Sequence, residues 1–312
     1  DVPVKIYRMT RVTYGVASSS YHAIRALRDA SLGATSDLAR IILRDFYVDD
    51  LMSGAQTVPK AIELQTGLHQ HLAGQHFEVR KWASSHPDVL KNIDPALLEH
   101  EATFEMGNEE HTIKTLGIRW KPVGDYFFFS IGHVLPDATR AGLTKRMMLS
   151  DIAKVFDPLG WLSPATLKLK LLMQASWMKG LAYDAPLPAD VLESFLEWRI
   201  QLPALREVVI PRSGLLPEEE DLSAFELHMV GDASEMAYAA CIYSRAIGLT
   251  KVKVTLLCAK TKVAPLKAVS VPRLELCAAV LGSKLLTTVV DALASLGQHP
   301  LSRYAWSDST IV

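Results

Sequence analysis

Phe225-Glu226-Leu227-His228-Met229-Val230-Gly231-Asp232-Ala233-Ser234 reads as a β-strand that ends in an acid. Ala237-Tyr238-Ala239-Ala240-Cys241-Ile242-Tyr243 reads as a second strand, and Val252 to Lys260 as a third. The links between them are tight, so the three form an antiparallel meander. Pro272 then opens a helix, because proline suits the first helical turn. Leu274, Ala278, Leu281 and Leu285 give that helix an apolar stripe, with Glu275 near its start and off the stripe's centre. Tyr304-Ala305-Trp306-Ser307-Asp308-Ser309 reads as a further strand that delivers Asp308 at its end.

Taken singly, each acid has an ordinary explanation. Glu275 would answer the helix dipole, and Asp232 and Asp308 would cap turns. The ordered set of strand-end Asp, helix-start Glu and strand-end Asp resembles the ribonuclease H fold, and each acid maps onto that fold's carboxylate cluster. The resemblance implies that Asp232, Glu275 and Asp308 are catalytic and hold Mg²⁺, with Mn²⁺ as the alternative. Two cations bridging a scissile phosphate demand several carboxylates, because one cannot neutralise them.

A second acidic stretch, Phe46-Tyr47-Val48-Asp49-Asp50-Leu51, lies far upstream. Apolar runs flank it, Leu38 to Asp45 before and Leu51-Met52-Ser53-Gly54 after, which predicts a β-hairpin with the acids at its turn. Adjacent carboxylates repel, so a fold that presents both commonly places a cation beside them. Taken alone, an acidic surface turn explains the pair as well. Tyr-Val-Asp-Asp in this setting resembles the palm signature of reverse transcriptases. Val12-Thr13-Tyr14-Gly15-Val16-Ala17-Ser18-Ser19-Ser20 before the helical pattern Tyr21 to Leu27 resembles that family's strand, glycine turn and helix. Gly15 permits close backbone approach there, and Ser20 can cap the helix. Phe77 to Ser84 and Thr115 to Trp120 resemble the next two palm segments.

Together these segments resemble the Pol polyprotein of BEL/Pao-type LTR retrotransposons over nearly the whole chain. That resemblance implies an RNA-directed DNA polymerase with ribonuclease H activity. Asp49 and Asp50 would be polymerase metal ligands, and Tyr47, Val48, Gly15, Lys81 and Trp82 would contact nucleotide or nucleic acid. The implied partners are an RNA template, a DNA primer, deoxynucleotides, the RNA–DNA hybrid and other Pol or Gag parts of the element. The implied setting is a cytoplasmic particle, or the nucleus. The polymerase family also uses an upstream metal-binding Asp, and before Val12 only Asp1 is acidic. Asp1 has no initiator Met before it, and Val312 follows closely on Asp308. The ribonuclease H family's fourth acid and last helix would lie beyond Val312, so the expectation is a fragment inactive on its own, one that binds at most one metal weakly at Asp49 and Asp50 and does not polymerise. The rival expectation is a non-catalytic remnant of a retroelement that binds nucleic acid or protein.

The expected fold class is α+β in three parts. Residues 1–122 would be a truncated palm, 123–222 a helical thumb and connection, and 223–312 a truncated ribonuclease H-like domain. Helices are predicted from Pro59 to Leu72, Leu149 to Phe156, Ala165 to Gln174 and Ala189 to Leu202, with Asp157-Pro158-Leu159-Gly160 breaking two of them. Tyr126 to Ile131 is strand-like, and the stretch Pro211 to Asp221, rich in turn formers and charge, marks a boundary. The middle segment resembles the Pao retrotransposon peptidase family. Aspartic proteases need an Asp-Thr/Ser-Gly turn, and none occurs in this chain. Lys168, Lys170 and Lys179 could face phosphates, although solvated lysines explain them equally.

The 312 residues are 49% hydrophobic and 21% charged, which suits sizeable cores and two or three domains. A net charge of -1 means that any nucleic-acid surface must be local. No apolar run is expected to span a membrane. Cys241, Cys258 and Cys277 each lie in an apolar run and are expected to be reduced core thiols. His69 and His71 would point apart on a helix and are rejected as a metal pair. Lys251, Lys253, Lys260 and Lys262 would form a basic edge, or guard an edge strand from aggregation.

Overall fold

The computed structural model describes residues 4–99, 113–115, 118–129, 142–212 and 222–310. The chain divides into two compact units, Asp1–Gly124 and Asp125–Val312.

In the first unit, α1 (Ser19–Asp29), α2 (Ser36–Arg44) and α3 (Val58–Gly74) close around one core. Leu27, Ala30, Ile41, Ile42, Leu68 and Leu72 are buried there. The run Leu38 to Asp45, expected as a hairpin arm, is mostly helical. Leu38, Ile41 and Ile42 recur at helical spacing and turn one face to this core. The hairpin that follows is minimal: β1 (Phe46–Tyr47) and β2 (Asp50–Leu51), paired Phe46 with Leu51 and Tyr47 with Asp50. Ser18, not Ser20, stands at the N-cap of α1. The expected strand before Gly15 is irregular, exposed backbone, and among the described residues Phe77 to Ser84 forms a single bridge, Trp82 to Leu98. A short antiparallel pair, β3 (Ile113–Thr115) and β4 (Ile118–Lys121), ends the unit.

The second unit begins with β5 (Tyr126–Phe128), whose antiparallel partner β6 (Val209–Pro211) comes much later. Between them lie α4 (Lys145–Lys154), α5 (Ser163–Met178) and α6 (Ala189–Gln201). Their core includes Met148, Leu169, Val191, Phe195, Trp198 and Leu202. Each such large side chain, once removed from water, contributes roughly 1.5–3 kcal/mol. The meander follows as β7 (Leu222–Ala233), β8 (Ala237–Gly248) and β9 (Val252–Val263). Then come α7 (Val271–Ser295) and β10 (Ser302–Trp306). The sheet order is β10-β7-β8-β9, with β10 parallel to β7 and the remaining pairs antiparallel.

Alternation along β7 turns Phe225, Leu227 and Met229 toward α7, where Leu285, Leu286 and Val289 meet them. Gly231 lies against Ala278 of α7, where a Cβ would stand at an ordinary 3.5 Å from the Ala278 carbonyl, whereas a Cβ on Gly282 would lie 2.5 Å from Met229 Sδ, so glycine there admits the methionine side chain under the helix. Over its 25 residues α7 contains an 18-residue stretch of mean hydropathy 1.6, so it is long and apolar enough by composition to cross a membrane. The expectation that no run reaches that length fails here. In this fold its stripe of Leu274, Ala278 and Leu281 is buried on the sheet.

The helical segment is locked onto the outer edge of β9. Trp161 stacks on Phe127 at 5.7 Å and donates its Nε1–H to the carbonyls of Leu257 (3.0 Å) and Leu256 (3.2 Å). Ala259 donates its backbone N–H to the Leu159 carbonyl at 2.8 Å. Lys170 Nζ donates to the carbonyl (3.1 Å) and hydroxyl (2.9 Å) of Thr261, and Gln174 to the Ala264 carbonyl at 2.7 Å. Gly160, at φ +74°, fits because a Cβ there would collide with the Ala259 carbonyl.

Candidate metal centre

Asp232 is the penultimate residue of β7, Glu275 lies in the second turn of α7, and Asp308 follows β10. The parallel register of β10 on β7 carries both strand ends to the same edge of the sheet, with Trp306 opposite Val230. The Gly231–Ala278 approach sets the start of α7 over that edge. One carboxylate oxygen from each of the three residues lies within 4.8 Å of the other two. Asp232 and Asp308 are exposed, and Glu275 is buried at 8% exposure. Asp232 Oδ1 accepts the backbone N–H of Ala233 at 2.7 Å, which fixes its rotamer.

Glu275 Oε2 is buried and has no hydrogen-bond partner. An acceptor left unsatisfied in the interior costs about 1–3 kcal/mol. Two further carboxylates close by raise that cost by repulsion. A hard divalent cation answers both problems, since Mg²⁺ and Mn²⁺ prefer oxygen donors. The donor set fits such an ion. Among the described residues this is the single group of three or more Asp, Glu, His or Cys side chains so disposed.

The first unit presents its acids differently. Asp49 and Asp50 are exposed at the hairpin, where no third ligand joins them among the described residues. Tyr47 and Val48 are also exposed. Val48 sits at φ +58°, a left-handed conformation that a β-branched residue adopts only under strain. The turn thus has the positive φ at its first central position, where glycine is favoured. Asp45, not singled out in the sequence, braces the hairpin. Its carboxylate accepts from Ser53 Oγ at 2.6 Å and pairs with Arg44, and its carbonyl accepts from Met52 N at 3.2 Å.

Gly15 adopts φ +81° with no neighbour within 4 Å of a notional Cβ, so the turn and not a close approach requires it. Lys81 is exposed at φ +59°. Trp82 packs against the core and meets His69 edge-on at 6.4 Å. His71 Nε2 bonds the Ala30 carbonyl at 2.7 Å, so the two histidines have separate partners, as expected. A cleft of about 690 Å³ beside the start of α1 is lined by Arg8, Arg11, Ser18, Ser19 and His22 among others.

The basic residues of the helical segment are engaged within the protein. Lys168 pairs with Glu197 at 3.4 Å and Lys179 with Asp190 at 2.7 Å, while Lys170 holds Thr261. Of the cysteines, Cys258 is buried, Cys241 half-buried and Cys277 exposed, so the expectation of three core thiols fails at Cys277. That position falls on the flank of α7 that the sheet leaves uncovered. Burial pushes the Cys258 thiol up to about 11, which keeps it protonated and unreactive.

Residues 144–309, more than half of the chain, match the model of the Pao retrotransposon-like RNaseH-like domain. The chain belongs to that family. The match bears out the recognition of a retrotransposon Pol segment, and it runs through the helical segment and the carboxylate-bearing sheet alike. No curated protein matches this Pao-type chain. Among solved structures it is similar to the foamy viral protease-reverse transcriptase dRH in complex with double-stranded DNA. That likeness is 14% identity over 94% of this chain and 42% of the other, with a TM-score of 0.48. The foamy viral protease-reverse transcriptase in complex with an RNA/DNA hybrid gives 14% identity over 96% and 34%, again with a TM-score of 0.48. The Pao-type chain thus spans less than half the length of either.

Proposed function

We propose that the second unit is a metal-dependent nuclease that cleaves the RNA strand of an RNA–DNA hybrid. The observation that carries this reading is the convergence of Asp232, Glu275 and Asp308 within 4.8 Å, with a buried Glu275 oxygen lacking a partner. Mg²⁺, or Mn²⁺, bound there would supply activation of water and neutralisation of charge at the scissile phosphate. The chain's own residues contribute position. The packing of α7 on β7 holds Glu275 still, the Ala233 N–H orients Asp232, and the β10–β7 register sets Asp308 opposite. Because Asp232 and Asp308 are exposed, a phosphodiester backbone lying across the sheet edge can reach the cluster.

The experiment is cleavage of a labelled RNA–DNA hybrid with Mg²⁺ or Mn²⁺, comparing the parent chain with Asp232→Asn, Glu275→Gln and Asp308→Asn. Each variant is expected to lose about a thousandfold or more in rate, the equivalent of several kcal/mol. Parent cleavage that survives all three substitutions would exclude this site.

The larger reading belongs to the same proposal. The first unit would be part of a reverse transcriptase palm and residues 123–222 its thumb and connection. Asp49 and Asp50 would be metal ligands, with Tyr47, Val48, Gly15, Lys81 and Trp82 near nucleotide, RNA template and DNA primer. The arginine-lined cleft at α1 supports an anionic partner on this unit. Its natural setting would be the cytoplasmic particle of the element, or the nucleus.

A further inference from the structure

The inference rests on the nuclease reading and adds a surface that the three carboxylates do not include. Residues directly opposite each other in paired strands share a face of the sheet. Gly231 lies against Ala278 of α7, and the register links Gly231 to Ala240 and Ala240 to Lys260. It likewise links Ala233 to Tyr238 and Tyr238 to Lys262. Lys260 and Lys262 therefore stand on the face that carries α7, on the strand beyond the two that α7 chiefly covers. Two residues apart on one strand, they are separated by about 6.7 Å.

Successive residues of α7 are rotated by about 100°. Measured from Ala278 at the centre of the buried stripe, Glu275 lies about 60° to one side, toward the other carboxylates. Lys284 lies about 120° to the opposite side, on the flank that looks over β9. All three lysines are exposed, and none forms an ion pair among the described residues. The acid on this flank of α7, Asp291, comes two turns beyond Lys284. Glu235, in the turn between β7 and β8, is exposed and pairs with none of them. The charge of Lys260 also reaches Lys170. Burial first and then Lys260 lower Lys170, against the raising effect of Asp157.

We propose that Lys260, Lys262 and Lys284 line a groove between α7 and β9 that seats the phosphate backbone of an RNA–DNA hybrid and leads it to the carboxylates. The groove belongs to a helix-on-sheet pair, and its charges are lysine ammoniums on regular elements. Such a strip suits a regular backbone and carries no sequence preference.

The test uses the whole chain and a fluorescent RNA–DNA hybrid, with anisotropy read in chelator over a series of salt concentrations. The triple variant K260Q/K262Q/K284Q is expected to bind at least tenfold more weakly at low salt. Its plot of log affinity against log salt should flatten by about 0.7–0.9 for each phosphate that a lysine no longer neutralises. The matching Lys→Arg triple variant keeps the charges and is expected to restore binding, which separates lost charge from lost fold. A triple glutamine variant with the parent's affinity and slope overturns the proposal, as does a parent chain that does not bind the hybrid. If glutamines at the lysines abolish binding while the parent never cleaves with Mg²⁺, the groove stands and the nuclease reading falls. If the parent cleaves and the glutamine variant binds unchanged, the groove alone falls.

Discussion

The two acidic sites differ in how the fold treats negative charge. At the hairpin, Asp49 and Asp50 are neighbours in sequence and stand in solvent, so water screens their repulsion. At the sheet edge, acids from 43 and 33 residues apart in the chain are driven together, one of them buried with an unpaired oxygen. A fold does not hold three carboxylates within 4.8 Å for its own stability. The first site stores its strain in the backbone, at Val48; the second stores it in electrostatics.

That contrast can be broken by stability measurements. The largest effect expected is a rise in Tm with Mg²⁺ or Mn²⁺, equivalent to about 2.7 kcal/mol at a hundredfold excess over Kd. Glu275→Gln should abolish it and Asp49→Asn should not; the reverse pattern would move the strong metal site to the hairpin. Next, in chelator, Glu275→Gln should stabilise the protein by about 0.5–2 kcal/mol, because it removes one of three crowded carboxylates. Val48→Gly should gain about 1 kcal/mol in chemical denaturation by relieving the positive φ, and a loss would show that the valine packs more than it strains. Smallest of all, Asp49→Asn and Asp50→Asn should leave Tm unmoved without metal.

The carboxylate cluster was legible because its signals are local. Alternation along Phe225 to Ser234, tight turns and a proline before Leu274 fix strand, strand and helix, and the acids sit at element ends where chemistry commonly sits. What stayed hidden depended on contacts between distant residues. Leu38, Ile41 and Ile42 suit either a strand or a helix face, and the core of α1 and α3 decides between them. The grip of Trp161 on Leu256 and Leu257 spans more than ninety residues and leaves no periodic trace. Lys170 likewise stood open between a phosphate contact and a solvated lysine, because nothing in sequence announces Thr261 as its partner. Cys277 read as core because its neighbours are apolar, although the helix turns that position outward.

The turn at Gly160 and the helix after it also decide how this protein behaves in company. By engaging the Ala259 N–H and the carbonyls of Leu256, Leu257 and Thr261, they cover this stretch of the outer side of β9. A shortened chain that begins after Gln174 would bare that border, and bare strand borders recruit one another into edge-joined multimers. Soluble preparations of the carboxylate-bearing sheet should therefore start upstream of Asp157.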